Sequence, residues 1–215
     1  MTAATSETLA RKRRLQRRIR WVVTATIGYN VIEAVIAMAA GAIASSTALI
    51  AFGLDSIVEV LSAAAVAWQF SGRDPEAREK VALRVIAFSF FGLAAYVIVD
   101  TALSFFGARG AEHSPVGIVL ATVSLVVMPA LSWFERHTGR ELGSATAIAD
   151  SKQTLLCAYL SGALLIGLLL NTLFGWAWAD SIAALMIAGW AIKEGIEAWR
   201  GEACAMPGAR VSMRS

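Results

Sequence analysis

At 215 residues, 57% hydrophobic and 16% charged, the chain is more apolar than a soluble domain, which is about half apolar and about 25% charged. Its net charge of +3 does not mark a nucleic-acid-binding protein, because the basic residues gather beside long apolar runs, where determinants of membrane topology belong. The cysteines, Cys157 and Cys204, give neither a disulfide framework nor a zinc-finger spacing.

Residues 1–20 form a basic N-terminal arm carrying Arg11, Lys12, Arg13, Arg14, Arg17, Arg18 and Arg20. The arm reads as a polar, mobile cytosolic flank lying near anionic lipid headgroups. A first span follows at Trp21–Gly41. It is too long for the apolar region of a cleaved signal peptide, and further spans follow it. A turn of small residues leads to a second span at Ser46–Phe70, then a third at Val81–Gly107 and a fourth at Pro115–Phe134. The fifth is expected at Ser144–Leu173 and the sixth at Trp176–Trp199, with a short polar cytosolic tail at 201–215. Each run approaches or exceeds the roughly 20 residues that cross a bilayer core. The expected fold class is an all-α integral membrane protein, a six-transmembrane-helix bundle over residues 21–200.

The loops orient the bundle. Arg73, Arg78, Lys80 and Arg84 join the second span to the third, Arg136 and Arg140 join the fourth to the fifth, and Lys193 and Arg200 close the sixth. The other side carries only Arg109. The positive-inside rule then places both termini in the cytoplasm. Trp21, Trp68, Trp133 and Trp199 fall at the cytoplasmic ends and Trp176 and Trp178 at an outer end, as interfacial belts require.

Acidic residues sit inside these spans. Asp55 and Glu59 are four residues apart in the second, so they share one helix face. At 1.5 Å per residue Asp55 lies roughly 15 Å into the helix, near the midplane. A carboxylate there costs about 2.5–3.5 kcal/mol on insertion scales, and two on one face repel. A divalent cation offsets both costs, and carboxylate oxygens suit it. The alternative is a pair of protonated carboxyls bonded to polar groups of other helices. In the fifth span Gln153 and Cys157 are likewise four apart. A thiolate is a strong ligand for soft metals, yet a lone cysteine also packs as a small side chain and a lone glutamine serves as interhelical glue. Asn30, Glu33, Asp100 and Asp150 are further candidates for an accessory or proton path. Asp180 reads as a polar helix end, Lys152 as a snorkelling or acid-paired cation, and His113 and His137 as solvated loop residues.

With these residues in view, the chain resembles the membrane domain of the cation diffusion facilitator family of metal transporters. The stretch from Gly41 through Ser46 to Asp55 and Glu59 is similar to the family's second helix, which carries two metal ligands four residues apart. Ala149-Asp150 followed by Gln153 and Cys157 falls at the ligand positions of its fifth helix, commonly His or Asp and then Asp. Ala179-Asp180-Ser181-Ile182-Ala183-Ala184-Leu185 looks like the start of its sixth, and Asn30 matches the first-helix spacing to Gly41. Three features depart from the family pattern: Gln and Cys in the fifth-helix pair, the loop Arg73-Asp74-Pro75-Glu76 in place of a histidine motif, and an end about fifteen residues past the sixth helix. That end leads us to expect no cytosolic metal-binding domain.

The resemblance implies exchange of a cytosolic divalent cation for protons, at a site made by Asp55, Glu59, Cys157 and Gln153. The transported ion is the only cofactor-like species expected. The thiol tilts its identity towards zinc or cadmium. The implied partners are the metal ion, protons, membrane lipid and a second copy of the chain, in the cytoplasmic membrane of a bacterium. Two other readings stand beside this one: a non-transporting metal sensor or partner subunit, and a proton-coupled exporter of organic cations. No nucleophile–base pair and no phosphate loop point to an enzyme.

Overall fold

The computed structural model describes residues 3–70, 75–106, 111–142 and 145–200. They form six helices: α1 (Ala3–Ala44), α2 (Thr47–Phe70), α3 (Pro75–Phe106), α4 (Pro115–Leu142), α5 (Ala145–Phe174) and α6 (Ala177–Arg200). The expected tail at 201–215 lies outside the described residues. The basic arm from Ala3 is helical and continuous with the first span, where a separate mobile segment was expected. Two other boundaries move. α3 begins at Pro75, a residue suited to a first helical position because its missing N–H is unneeded there. α4 runs on to Leu142, eight residues past the expected Phe134, and so carries His137 within the helix, paired with Glu141 at 3.2 Å. Five helices are long and apolar enough to cross a membrane, judged by length and composition. The exception is α6, whose apolar stretch is bounded by Asp180 near one end and Lys193, Glu194 and Glu197 near the other.

Short polar residues start α2 and α4, and left-handed residues stop α1 and α5. Ser46 Oγ accepts the Leu49 N–H at 3.1 Å, and Ser114 Oγ accepts the Gly117 N–H at 3.1 Å. Each is the N-cap of its helix, satisfying a donor the first turn leaves free. α1 ends with Ser45 at φ 49° and a bond from Ser46 N–H to Gly41 C=O at 3.0 Å, the Schellman arrangement. α5 ends at Gly175, φ 67°, where the absence of a Cβ makes the left-handed conformation inexpensive.

The helices form a four-sided group with a flank. α1 packs on α2 and α4, α4 packs on α5, and α5 touches α2 more lightly. Beyond glancing contact, α1 does not reach α5 and α2 does not reach α4 among the described residues. A seam therefore runs down the middle of α1, α2, α4 and α5. α3 and α6 pack together and cover α2 from outside that seam. The apolar core lies on their side of α2, around Leu49, Phe52, Phe90, Val97, Leu164 and Ile187. Val35, Ile43, Val99, Val126, Ile166 and Leu173 are exposed outwards, as lipid-facing residues would be.

The α1–α2 turn sets the register of everything that follows. A Cβ placed on Gly41 would lie 2.9 Å from the Ile50 backbone nitrogen and 3.3 Å from the Leu49 carbonyl carbon. Backbone atoms do not yield as a side-chain end does, so Gly41→Ala is expected to cost about 1–3 kcal/mol by overpacking. Thermal unfolding in detergent checks this; an unchanged midpoint would show that the turn is free to open.

Candidate functional site

Four polar stripes line the seam. Each follows from helical periodicity, with residues three or four apart on one face. α1 presents Thr26, Asn30 and Glu33; α2 presents Asp55, Ser56, Glu59 and Ser62. α4 presents Ser124, Ser132, Glu135 and Thr138, and α5 presents Ser151, Thr154, Cys157 and Ser161. All are buried. The stripes meet in three tiers.

The middle tier holds most of the sequence candidates. Cys157 Sγ donates to Glu59 Oε1 at 2.8 Å and lies 3.6 Å from Asp55 Oδ2. The opposite oxygen of Glu59, Oε2, accepts from Asn30 Nδ2 at 2.6 Å. Asp55, Glu59 and Cys157 are 5%, 9% and 3% exposed, so neither face of the membrane reaches them directly. Asn30 Oδ1 is buried and has no hydrogen-bond partner. An unsatisfied buried acceptor costs free energy, and here it sits on a residue that already touches the carboxylate pair. Two donors bound tetrahedrally, a thiolate at ~2.3 Å and a carboxylate oxygen at ~2.0 Å from one zinc ion, lie roughly 3.5 Å apart. The two sulfur–oxygen distances bracket that separation. Among the described residues, no three His, Cys, Asp or Glu side chains already surround a single metal position. The sulfur instead holds the two acids by direct contact.

A second tier lies farther from the basic loops. Glu33 accepts from Ser56 Oγ at 2.8 Å and from Ser124 Oγ, and Ser124 Oγ also contacts Tyr29 Oη at 2.7 Å. Glu33 thus bridges α2 and α4, which do not otherwise pack. The third tier, nearest the basic loops, is centred on Glu135 of α4. It accepts from Thr26 of α1 and Thr154 of α5 and is 0% exposed. Several of these hydroxyls also reach a carbonyl one turn back on their own helix: Thr26 to Val22 at 3.1 Å, Ser56 to Phe52 at 3.2 Å and Ser124 to Leu120 at 3.0 Å.

The remaining candidates lie elsewhere. Asp100 is at the opposite end of the bundle, accepting from Thr47 Oγ1 at 2.6 Å. Asp180 is buried beside it, accepting Ser46 Oγ at 2.5 Å and the Ala48 N–H at 3.2 Å. The side chains of Gln153, Asp150 and Lys152 fall outside the described residues. Glu135 was missed by sequence reasoning, because Arg136, His137 and Arg140 around it made a loop of that segment. The signal that would have found it is its spacing from Ser124, Ser132 and Thr138, which repeats the polar face of α4.

A family model described as the cation efflux transmembrane domain matches residues 23–200. The magnetosome protein MamB of Magnetospira sp. (strain QH-2) is 25% identical over 189 residues, covering 83% of this chain and 63% of that protein. The cation-efflux pump FieF of Shewanella oneidensis is 31% identical over 77 residues, covering 36% of this chain and 26% of the pump. The chain therefore spans less than two thirds of the length of either relative.

Proposed function

The chain belongs to the cation diffusion facilitator family and is a multi-pass membrane protein, and from that we propose that it carries a divalent metal cation across the membrane through the seam, in exchange for protons. The observation that carries this reading is the convergence of Asp55, Glu59 and Cys157 from two helices in the buried centre of the bundle. The name of one relative, a cation-efflux pump, agrees with it in chemistry.

On this reading the cation binds between α2 and α5. Asp55 and Glu59 supply carboxylate oxygens and Cys157 a thiolate. Gln153, at the family's other fifth-helix position, and the unpartnered oxygen of Asn30 are neutral oxygen donors for the same ion. Zinc or cadmium suits a set containing sulfur. Three anionic groups exceed the charge of a divalent ion, so one of them keeps a proton when metal is bound. Ligands give up protons to bind metal, and release of the metal reverses this. That competition is what couples the two fluxes. Glu33, hydrogen-bonded through Ser56 to the same face of α2, is placed to pass protons towards the end away from the basic loops. The positive-inside rule puts the basic end, with Arg78, Lys80, Arg84, Arg136 and Arg140, in the cytoplasm of a bacterium. There Arg78 lies 4.8 Å from the Trp68 ring and Arg84 4.3 Å from the Trp199 ring, cation–π pairs at the height expected of an interfacial belt.

The test is zinc uptake into proteoliposomes under an imposed pH gradient. Wild type should take up zinc and collapse the gradient, and Asp55→Ala should do neither. Undiminished flux in Asp55→Ala would sink the proposed site. Metal binding without flux would favour a sensor, and flux of organic cations alone a different exporter.

A further inference from the structure

The polar stripe of α4 is interrupted by one apolar side chain. Ser124, Met128 and Ser132 follow one another at four-residue intervals, so all three share the face that α4 turns to the seam. Met128 is fully buried. α4 and α5 run in opposite directions, and two contacts fix how they sit against each other. Ser132 Oγ donates to the Ser151 carbonyl at 2.5 Å. Leu125 Cδ1 lies 3.7 Å from where a Cβ on Gly162 would stand. Stepping four residues from the first contact and three from the second brackets Met128 between Leu155 and Tyr159, with Cys157 midway. The packing agrees: Met128, Cys157 and Ala158 form a buried cluster of their own, separate from the main apolar core, with Tyr29 and Leu131 against it. Met128 is thus the α4 residue at the height of the middle tier.

A thioether is a soft donor, and a neutral one. Cys157 touches Glu59 at 2.8 Å, so a side chain packed in the cluster of that thiol stands at the edge of the same donor set. Methionine is unbranched, with three rotatable bonds and a polarizable sulfur. Its Sδ can turn to an ion while α4 stays in place. We infer that Met128 is a second sulfur donor to the transported cation, and that it makes the seam selective for soft, thiophilic divalent ions, cadmium above zinc and both above magnesium, calcium and manganese. This inference rests on the reading that Asp55, Glu59 and Cys157 bind the ion. The neutrality of the thioether matters there. Those three groups, when ionised, already exceed the charge of a divalent ion, and Met128 adds softness without adding charge. A leucine would fill the same space and offer the metal nothing.

The test separates bonding from packing. The full chain carries Cys204→Ser, so that Cys157 is the remaining thiol, and is produced with selenomethionine. It is reconstituted in lipid nanodiscs and loaded with an equimolar amount of Cd²⁺ alone. X-ray absorption at the cadmium edge identifies the neighbours of the ion by element. Of the six methionines in the chain, only one bonded to cadmium contributes selenium at bonding distance. The expected shell holds a sulfur from Cys157 and a selenium from Met128. Met128→Leu, a volume-conserving exchange of the kind cores tolerate best, should lose the selenium and keep the sulfur. In competitive titration with ordinary methionine, the same change should lower the cadmium-to-zinc affinity ratio by about tenfold, the low end of what even the partners of a metal ligand contribute. A shell with sulfur but no selenium would overturn the inference, because a methionine that only packs gives that result. So would selenium that persists in Met128→Leu, or an unchanged affinity ratio. Absence of sulfur from the shell of the parent protein would instead defeat the middle-tier reading.

Discussion

Cys157→Asp is expected to lower the affinity for cadmium relative to zinc by at least about tenfold, because it exchanges a soft thiolate for a hard carboxylate at the same place. The residue lies between the two acids, 2.8 Å from Glu59 and 3.6 Å from Asp55, so on the proposed reading an aspartate there still faces the ion. Zinc accepts oxygen and sulfur donors alike, and its affinity should change less. The substitution also restores the residue most usual at that position of the family's fifth helix. Asp55→Ala is the contrasting change. It removes an anionic donor without replacement and should weaken both metals by more than about a hundredfold, beyond the range seen when only the partners of a ligand are altered. Competitive titration of purified protein with zinc and cadmium measures both. An unchanged cadmium-to-zinc ratio in Cys157→Asp would mean that the sulfur does not touch the ion.

Asp180→Ala should be the most damaging change outside the seam. The Asp180 carboxylate lies at the start of α6 but serves the start of α2. It accepts Ser46 Oγ at 2.5 Å and the Ala48 N–H at 3.2 Å, and Ser46 in turn caps α2 through Leu49 N–H. An acid also suits the positive end of the α2 dipole. Hydrogen bonds to charged groups are worth about 1.5–3 kcal/mol each, and the alanine leaves their partners buried and unpaired, so a loss of about 2–4 kcal/mol is expected. Asp180→Asn keeps an acceptor and should recover part of it. In a Cys204→Ser background, labelling of Cys157, 3% exposed in the folded chain, by a thiol reagent on heating follows the unfolding. An unshifted transition in Asp180→Ala would show that α2 is anchored by packing alone. The change should also reach the site, because α2 runs straight from this anchor to Asp55, eight residues or about 12 Å along the helix.

The fold was readable because apolar runs of span length are hard to mistake, and six helices stand where six spans were expected. Their ends were less readable. Length and apolarity do not mark the point where a helix leaves the bilayer, and α1 and α4 both continue past it into basic sequence. The pairing of Asp55 with Glu59 was legible from helical spacing alone. The approach of Cys157 to them was not, since spacing within α5 says nothing about which helix α5 faces; the family resemblance supplied that. Asn30 was placed by its distance from Gly41, and it does meet Glu59. Glu33 was marked as accessory and lies one tier away. Asp100, marked with it, is at the bundle's far end with Thr47. Glu135 escaped because an acid beside Arg136, His137 and Arg140 has the composition of a loop, and only the extra turns of α4 carry it inward.

The hydroxyls of the seam bear on how such a site changes its contents. Thr26, Ser56 and Ser124 each stand within reach of an acid and of a carbonyl on their own helix. When an acid turns away to a metal ion or takes up a proton, its hydroxyl neighbour can swing back to that carbonyl, a bond serines and threonines commonly make in helices. No donor is then stranded in a dry interior. Glu33, held by Ser56 and Ser124, has that fallback; Glu59, held by the Asn30 amide, does not, and its exchange carries the penalty of an orphaned polar group. On the proposed reading, the serines that hold Glu33 are spare sockets, so its occupants can be swapped with little change in the number of bonds made.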